Sequence, residues 1–322
     1  GPKTKFKILT TATHEGYQTN LAETGHEFYL LAGNGLKNWD YHTRPIPPNT
    51  YIYNLPPDQI RGAIDFDLVL SQNKMADFPV LAQIALKYDL PIIVLDHTEP
   101  FPNLTKMQFN QLKQLRGSAN IFITEHNKGS WGGEPQDTVI PHGINLGRFK
   151  GWHGVDARGL SVVNLFPQRD VFCGWNLWRQ IASEIPVTLI GHNPGLSESI
   201  NDVDRLISIY ASHRFYLNTS QHSPVPLSML EAMACGCPVV TTEKQEIAKL
   251  IKHGENGLMS NDPAEIIKYC KELLENPDLA RKLGNAARKT IEEKHSMTQF
   301  VEKWNAVFER CYNEQFTKWR VA

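Results

Sequence analysis

The chain of 322 residues lacks several features that would each indicate a definite class of protein. Its 33 basic and 34 acidic residues almost cancel, which excludes a general electrostatic attraction to nucleic acid or to an anionic membrane. No apolar run approaches the roughly 20 residues of a membrane-spanning helix. The composition therefore predicts a folded protein with no strong membrane or general nucleic-acid preference, long enough for two domains of about 150 residues each.

Cysteine is scarce, and its spacing is irregular. Five cysteines are an odd number for a disulfide framework, which favours reduced thiols and a cytoplasmic location. Cys235 and Cys237 flank one glycine, but no second Cys pair or His pair completes a zinc site. The sequence predicts neither a bound metal nor a cofactor.

Two common nucleotide-binding motifs are also absent. No Gly-x-Gly-x-x-Gly follows the first predicted strand of either half, which argues against a dinucleotide-dependent dehydrogenase. No Gly-x-x-x-x-Gly-Lys-Ser/Thr occurs, which excludes an ordinary P-loop ATPase.

The sequence does contain a repeated alternation of short apolar strands and amphipathic helices. One series of strands begins at 5–11 and closes at 138–140, and a second series begins at 160–165. From residue 263 onward the pattern is helical. This alternation predicts an α/β protein with two Rossmann-like, doubly wound domains, 1–145 and 146–297, whose strand ends face a cleft.

The first predicted strand is followed by a loop that carries His14, Glu15, Gly16 and Tyr17, before a short helix near 20–24. Open α/β sheets bind ligands at the carboxyl ends of their strands. Gly16 would let the backbone approach a ligand, and His14 or Glu15 would face the cleft. An ordinary strand–helix turn is the alternative.

The strand predicted at 91–95 is followed by the segment of the first half that carries the most side chains suited to acid–base chemistry. Asp96, His97 and Glu99 occur there within four residues. Such a group can perform acid–base chemistry or bind a sugar hydroxyl. The alternative is a capping cluster before the next helix.

The segment 223–242, SPVPLSMLEAMACGCPVVTT, predicts a loop, a short helix that stops at Gly236, and a buried strand. Glu231 is unusual in this apolar helix and lies about 6 Å from the helix start at 1.5 Å per residue. A helix N-terminus attracts phosphate, so a carboxylate one turn further in would lie near a ribose. A surface glutamate on an amphipathic helix is the alternative.

Four segments of the chain resemble, in order, the family-4 retaining glycosyltransferases, a glycogen-synthase-like group with the GT-B fold. PHGINLGRF (141–149) resembles the family's hinge, and LEAMACGCPVVTT (230–242) its donor-site helix and strand. HGENGLM (253–259) and LLENPDLARKLGNAAR (273–288) resemble the segments that follow. In the first half the match is looser and consists of His97 and the loop around Gly16.

This resemblance implies an acceptor-side domain over 1–145, a donor domain over 146–297, and a C-terminal helix over 298–322 that packs back on the first domain. It implies transfer of a sugar from a nucleotide-sugar donor, such as a UDP-sugar, to a hydroxyl acceptor with retention of configuration, without a metal. The acceptor stays open among a glycan, a lipid, a protein, a small molecule and a modified nucleic acid.

The resemblance also gives the candidate residues of the second half their roles. The diphosphate would bind at the helix start, at Leu227 and Ser228, and the ribose would contact Glu231. Arg169, in the loop after the first strand of this half, would pair with phosphate oxygens in bidentate fashion.

In the first half, His97 would lie near the reacting sugar, and Gly16 near the diphosphate or the acceptor. Four further residues are acceptor-side candidates: His14, Glu15, Tyr17 and Glu99.

The chain departs from the family at two positions. The family usually has a second glutamate eight positions before the ribose glutamate, where this chain has Ser223. The family's Arg and Lys after the first strand of this domain are represented by Arg169 alone. We expect an altered donor geometry, with Ser223 making one hydrogen bond or capping the helix.

Two other functions remain as alternatives. One is a non-catalytic module that binds a nucleotide or a glycan, which the loss of the carboxylate at Ser223 motivates. The other is a sugar-nucleotide epimerase or a phosphorylase of the same architecture, for which the sequence contains no motif.

Overall fold

The computed structural model describes residues 2–33, 35–54 and 64–321, with side chains up to residue 315. Contacts divide the chain into two compact units. The first contains Gly1–Asp40, Ile46–Pro141 and Thr298–Ala322, and the second contains Tyr41–Pro45 and His142–Met297. The division falls just before the boundary expected at 145. It also assigns Tyr41–Pro45 to the second unit, which the sequence does not predict.

The first unit is built on a seven-stranded parallel sheet with the strand order β3-β2-β1-β4-β5-β6-β7. Because the order reverses direction between β1 and β4, the carboxyl ends of these two strands form the place where such sheets bind ligands. Its elements are β1 (Lys7–Thr10), α1 (Glu15–Ala22), β2 (Glu27–Leu31), β3 (Thr50–Tyr53), β4 (Leu68–Ser71), α2 (Phe78–Lys87), β5 (Ile92–Asp96), α3 (Lys106–Lys113), β6 (Ala119–Phe122), α4 (Glu125–Ser130), β7 (Thr138–Val139) and the C-terminal α12 (Met297–Val321).

The long C-terminal helix α12 packs within the first unit. Phe300, Trp304 and Phe308 are almost fully buried. The Trp304 indole Nε1 donates to the Tyr17 hydroxyl at 3.0 Å, and the His26 Nε2 lies 2.6 Å from the Asn305 Oδ1. The last helix of the chain is therefore part of the core that holds α1 and β2.

The second unit contains a five-stranded parallel sheet with the strand order β12-β11-β10-β8-β9. The order reverses direction between β8 and β10, which makes their carboxyl ends the corresponding ligand position. Its elements are β8 (Asp156–Val162), a 3-10 turn (Pro167–Arg169), α5 (Asp170–Cys173), α6 (Trp175–Ala182), β9 (Val187–Ile190), α7 (Val203–Ser212), β10 (His213–Asn218), α8 (Leu227–Cys235), β11 (Val239–Thr241), α9 (Ile247–Leu250), β12 (Leu258–Met259), α10 (Pro263–Glu275) and α11 (Pro277–Lys294).

Helix α8 lies in the core of the second unit, against α11. A Cβ on Gly284 of α11 would lie 1.9 Å from the Gly236 carbonyl oxygen, so only glycine allows this approach. Gly236 itself ends α8 at φ 92°, a left-handed conformation that glycine adopts without strain. The Arg288 guanidinium donates to the Ala234 carbonyl at 2.6 Å, which satisfies an acceptor at the C-terminus of α8.

Two parts of the sequence prediction for the first unit are wrong. Helix α1 begins at Glu15, so Gly16 and Tyr17 lie in its first turn and not in a loop. The cause is an uncommon cap, because the His14 Nδ1 accepts from the Tyr17 N–H at 3.0 Å. The sequence predicts a loop-rich region at 33–57, but strand β3 lies within it, where prolines obscure the strand pattern.

Two helix predictions are also corrected. The sequence predicts a strand at 121–124 and then a Gly-rich loop at 129–133, but the structure has helix α4 there, which the Thr124 hydroxyl caps. The sequence also predicts a helix over 246–253, whereas α9 is limited to Ile247–Leu250.

Replacing Trp304 should lower the stability of the first unit selectively. Trp304→Ala removes a fully buried indole and the hydrogen bond to Tyr17, so we expect a loss of about 3–5 kcal/mol in the free energy of unfolding of this unit. Hydrogen exchange of the backbone amides of β1 and β2, measured at increasing urea concentration, gives this free energy. Glu302→Ala, an exposed position on the same helix, is the control. Equal stability of the two variants would contradict the packing role of α12.

Candidate functional site

The N-terminus of α8 follows β10 at the reversal point of the second sheet. Its N-cap is Pro226, and no side chain in the described part of the chain caps the helix. The Leu230 N–H makes the first bond, to the Pro226 carbonyl at 3.2 Å. The backbone N–H groups of Leu227, Ser228 and Met229 therefore precede the helical hydrogen bonds. Such a helix end attracts an anion through its N–H groups and the helix dipole.

The side chain of Ser228 anchors this helix end to β8. Its hydroxyl donates to the Val162 carbonyl at 3.1 Å and lies 2.7 Å from the Tyr216 hydroxyl. Burial raises the pKa of Tyr216 to about 12, so its hydroxyl stays protonated. Ser228 therefore offers its backbone N–H to a ligand, while its side chain fixes the position of the helix.

Arg169 lies beyond the carboxyl end of the same strand, β8. It ends the 3-10 turn Pro167–Arg169, and its Nη1 donates to the Asn164 carbonyl at 3.2 Å. The side chain is partly exposed. Arg169 and the start of α8 are thus both tied to the segment that ends β8.

Glu231 is buried one turn into α8, with 5% of its surface exposed, so the interpretation as a surface glutamate is wrong. The Tyr210 hydroxyl donates to its Oε1 at 3.0 Å, and the Arg44 Nη2 lies 3.4 Å from its Oε2. Burial raises the pKa of this carboxyl, while Arg44 and Tyr210 oppose the rise. A carboxylate held between a cation and a phenol keeps further lone pairs for ligand hydroxyls.

Arg44 comes from the short segment Tyr41–Pro45, which belongs to the second unit. The Asn201 Nδ2 donates to the Tyr41 carbonyl at 3.0 Å and holds this segment. Neither Arg44 nor Tyr210 was expected at the site. Their approach to Glu231 depends on tertiary contacts, across 187 residues for Arg44, that no local pattern reveals.

Ser223 lies three positions before Pro226 and is partly exposed. Because Pro226 is the N-cap of α8, the expectation that Ser223 could cap this helix is wrong. Its hydroxyl therefore stays in the loop that leads into the helix.

His97 follows β5 in the first unit. Its Nε2 lies 3.0 Å from the Gln72 Oε1, its ring stacks on His14 with centroids 5.9 Å apart, and Tyr17 meets it edge-on at 4.6 Å. Burial, together with the charge of His14, lowers the pKa of His97 to about 3. The ring is therefore neutral at physiological pH. Gln72, which follows the buried strand β4, is a contact that the strand-end rule could have identified.

The neighbours of His97 in sequence do not cap a helix. Asp96 pairs with the buried Lys74 at 3.0 Å, and burial raises its pKa to about 6 against the opposing charge of Lys74. Glu99 is buried, and its Oε1 lies 2.7 Å from the His126 Nδ1. The next helix, α3, is capped by Thr105, so the capping interpretation is wrong.

The other acceptor-side candidates have internal partners. Glu15 is buried, forms an ion pair with Lys37 and accepts from the Asp40 N–H at 3.3 Å. Tyr17 is completely buried, and its hydroxyl accepts from Trp304. Tyr17 is thus a core residue that supports His97, which corrects its interpretation as a residue facing a ligand.

The described residues contain no group of three or more His, Cys, Asp or Glu side chains arranged to bind a metal ion. None of their helices combines the length and the apolar character needed to cross a bilayer.

The low pKa of His97 should make the protein less stable in acid. The ordinary pKa of 6.5 exceeds the folded value of about 3, so between these values the unfolded chain binds a proton that the folded chain does not. Stability is then lost as pH falls below 6.5, by about 2 kcal/mol at pH 5. His97→Gln should reduce the difference in urea unfolding energy between about pH 7.5 and about pH 5 by this amount. His222→Gln, at an exposed position, is the control. If both variants lost the same unfolding free energy between the two pH values, His97 would not be the cause of the acid sensitivity.

Residues 175–306 match a family model described as glycosyl transferase-like. An uncharacterized glycosyltransferase of Haemophilus influenzae is 25% identical over 169 residues, which are 46% of this chain and 48% of that protein. The chain matches about half or less of the length of the curated relatives.

Two solved structures are similar over almost the whole chain. Sucrose-phosphate synthase from Thermosynechococcus elongatus gives a TM-score of 0.73 at 14% identity, over 96% of this chain and 100% of that one. Anabaena HepE in complex with UDP gives 0.72 at 14% identity, over 95% and 100%. Residues 175–306 are thus similar to a glycosyltransferase sequence family, and the chain as a whole shares the GT-B fold of these two solved structures.

Proposed function

We propose that the protein transfers a sugar from a nucleotide-sugar donor, of the UDP-sugar class, to a hydroxyl acceptor with retention of configuration. The observation that carries the proposal is the start of α8, where N–H groups precede a buried carboxylate by one helical turn. This pairing suits a diphosphate followed by a ribose. Anabaena HepE, a similar structure, is described in complex with UDP and with UDP-glucose.

The diphosphate would be held by the N–H groups of Leu227, Ser228 and Met229, and by Arg169. The three N–H groups supply partial positive charge, and the guanidinium can form two parallel bonds to phosphate oxygens. Both elements are held near the end of β8 by hydrogen bonds within the protein. Preorganised donors of this kind stabilise the charge that develops on the leaving diphosphate.

The ribose would bind to Glu231. Arg44 and Tyr210 each engage one carboxylate oxygen, and each oxygen retains a lone pair for a ribose hydroxyl. The same two partners favour the charged carboxylate, because they oppose the rise of its pKa that burial causes. A charged acceptor forms the stronger hydrogen bonds to hydroxyl donors.

The transfer step would use front-face attack, in which the leaving diphosphate helps to take the proton of the acceptor hydroxyl. The protein then contributes mainly by positioning the reactants and by balancing charge. We assign His97 to the reacting sugar as a neutral hydrogen-bonding group, because its ring does not protonate at physiological pH. The proposal requires no metal, since Arg169 and the helix N-terminus supply the positive charge.

Incubation with a panel of nucleotide sugars, with and without hydroxyl acceptors, tests this function directly. Release of free nucleotide that increases when an acceptor is present is the expected result, and the anomeric configuration of the product identifies retention. Absence of release from every donor would contradict the transferase assignment.

Ser223 favours one second function, a module that binds the nucleotide sugar without turnover. The serine stands where the resemblance predicts a glutamate that contacts the sugar. Its hydroxyl can replace only one or two of the hydrogen bonds that this carboxylate would make to the sugar. This alternative predicts a thermal shift with a nucleotide sugar but no product. Turnover by the unmodified protein would eliminate it.

Glu231→Ala should weaken nucleotide binding about ten- to a hundredfold, because the ribose loses charge-assisted hydrogen bonds of roughly 1–3 kcal/mol. Calorimetric titration with UDP measures the change. Tyr210→Phe, which keeps the carboxylate and removes one of its partners, is the matched control and should change affinity much less. Full affinity in a folded Glu231→Ala protein would eliminate the ribose assignment.

Arg169→Ala should lower turnover more than donor affinity, because the guanidinium meets the charge that develops on the leaving diphosphate. Arg169→Lys should restore part of the rate. Arg148→Ala, which removes an exposed arginine paired with Asp204, serves as the control. Kcat and KM for the donor separate the two effects. Unchanged turnover would make Arg169 a structural residue that only closes the loop on Asn164.

A further inference from the structure

A chain of buried polar groups leads from β4 to His97 in the first unit. It starts at the Thr10 hydroxyl, which lies 2.7 Å from the Leu70 carbonyl oxygen. A carbonyl only accepts, so the single hydroxyl proton of Thr10 is used in this bond. The Thr10 oxygen can then only accept from its next neighbour.

That neighbour is the side chain of Gln72, which is almost completely buried. Its amide nitrogen lies 2.9 Å from the Thr10 oxygen and donates to it. The reverse orientation would place two oxygens against each other with no proton between them. The backbone carbonyl of Leu70 thus fixes, through Thr10, which side of the Gln72 amide faces His97.

The contact with Gln18 agrees with this orientation. The other N–H of the Gln72 amide donates to the Gln18 Oε1 at 3.0 Å. Gln18 is buried, and its own Nε2 has no hydrogen-bond partner among the described residues. Gln18 therefore keeps one donor unsatisfied while its oxygen faces Gln72, so the amide of Gln72 is held by two acceptors.

The carbonyl oxygen of the Gln72 side chain is left to face the His97 Nε2 at 3.0 Å. An amide oxygen can only accept, so Nε2 must carry the ring proton. We propose that Gln72 is a positioning residue that holds His97 as its Nε2–H tautomer and so presents the Nδ1 lone pair to a hydroxyl of the sugar or the acceptor.

The proposal identifies what His97 can bind. No side chain in the described ranges makes a hydrogen bond to the His97 Nδ1, and the ring is partly exposed. A neutral ring with its proton committed to Gln72 is an acceptor only, so it selects a hydroxyl donor over a carboxylate or phosphate oxygen. The low pKa caused by burial keeps this state over the physiological range. The role in sugar transfer rests on the function proposed above, whereas the tautomer itself does not.

The tautomer can be measured on the full-length protein labelled with 15N in its histidines. Long-range 1H–15N correlation spectra distinguish a protonated from an unprotonated ring nitrogen, and His97→Gln assigns the signals among the 12 histidines. We expect a protonated Nε2 and an unprotonated Nδ1. A protonated Nδ1 would overturn the proposal outright.

Variants then test whether the polar chain is the cause. Gln72→Leu and Thr10→Val should move the two ring-nitrogen shifts toward the averaged values of a free imidazole, while Gln72→Glu, which keeps an acceptor, should retain the Nε2–H state. Thr11→Val is the matched control, because the Thr11 hydroxyl donates at 2.5 Å to Asp77 and not to Gln72. Equal changes in Thr10→Val and Thr11→Val would overturn the polar chain as the cause.

Kinetics separate the positioning role from the proposed function. Gln72→Leu should lower kcat about tenfold, with KM for the nucleotide sugar unchanged, and Gln72→Glu should recover part of the loss. Unchanged kcat in Gln72→Leu, with an active parent protein, would overturn the positioning role and leave the transferase assignment intact. An inactive parent protein with the Nε2–H tautomer would overturn the transferase function and leave the tautomer assignment intact.

Discussion

The parallel arrangement of strands is the constraint on which both candidate sites depend. In each sheet the paired strands run in one direction, so their carboxyl ends and the starts of the following helices gather at one edge. Backbone groups that leave the sheet there need partners, and the Asn164 Oδ1 is one, since it accepts from the His192 N–H at 2.9 Å. The direction reversals of the strand order, at β1/β4 and at β8/β10, open this edge to a ligand. The start of α8 and the end of β8 meet at one reversal, and the polar chain that ends at His97 starts at the other.

A charge in the core of the second unit imposes the next requirement. Glu231 is removed from water, and an isolated carboxyl in that position would take up a proton. Arg44 and Tyr210 oppose this, and each contacts one oxygen of the carboxylate. One consequence is structural: the segment Tyr41–Pro45 belongs to the second unit, although the chain on either side of it belongs to the first. The ion pair of Arg44 with Glu231 is thus one of the contacts of this segment within the second unit, beside the hydrogen bond from Asn201 to Tyr41.

The features that could be predicted from the sequence are those with local causes. Helix α8 was expected from the prolines before it and Gly236 after it, and the structure places its start and its left-handed end there. Pro263 and an apolar stripe predict a helix over 263–275, and α10 has these bounds. The start of α1 was missed because a histidine ring replaces the usual cap, and β3 because prolines surround an edge strand. Arg44, Tyr210 and the hydrogen bonds of Gln72 depend on long-range packing, which a single sequence does not encode in any local pattern.

The two sites also differ in what they demand of the sequence. At the start of α8 the proposed ligand groups are backbone N–H groups, which any residue except proline provides, so the segment needs its turn residues, its packing and one carboxylate. Around His97 the function of the ring depends on the identity of Thr10, Gln72 and Gln18, because only particular donors and acceptors fix a tautomer. The first kind of site leaves a compact, recurrent sequence pattern, and the family match indeed covers residues 175–306. The second kind is built from residues of β1 and α1 and from the residues that follow β4 and β5. Under the proposed function, a change of acceptor therefore requires changes in such a set only, while the segment around α8 stays recognisable.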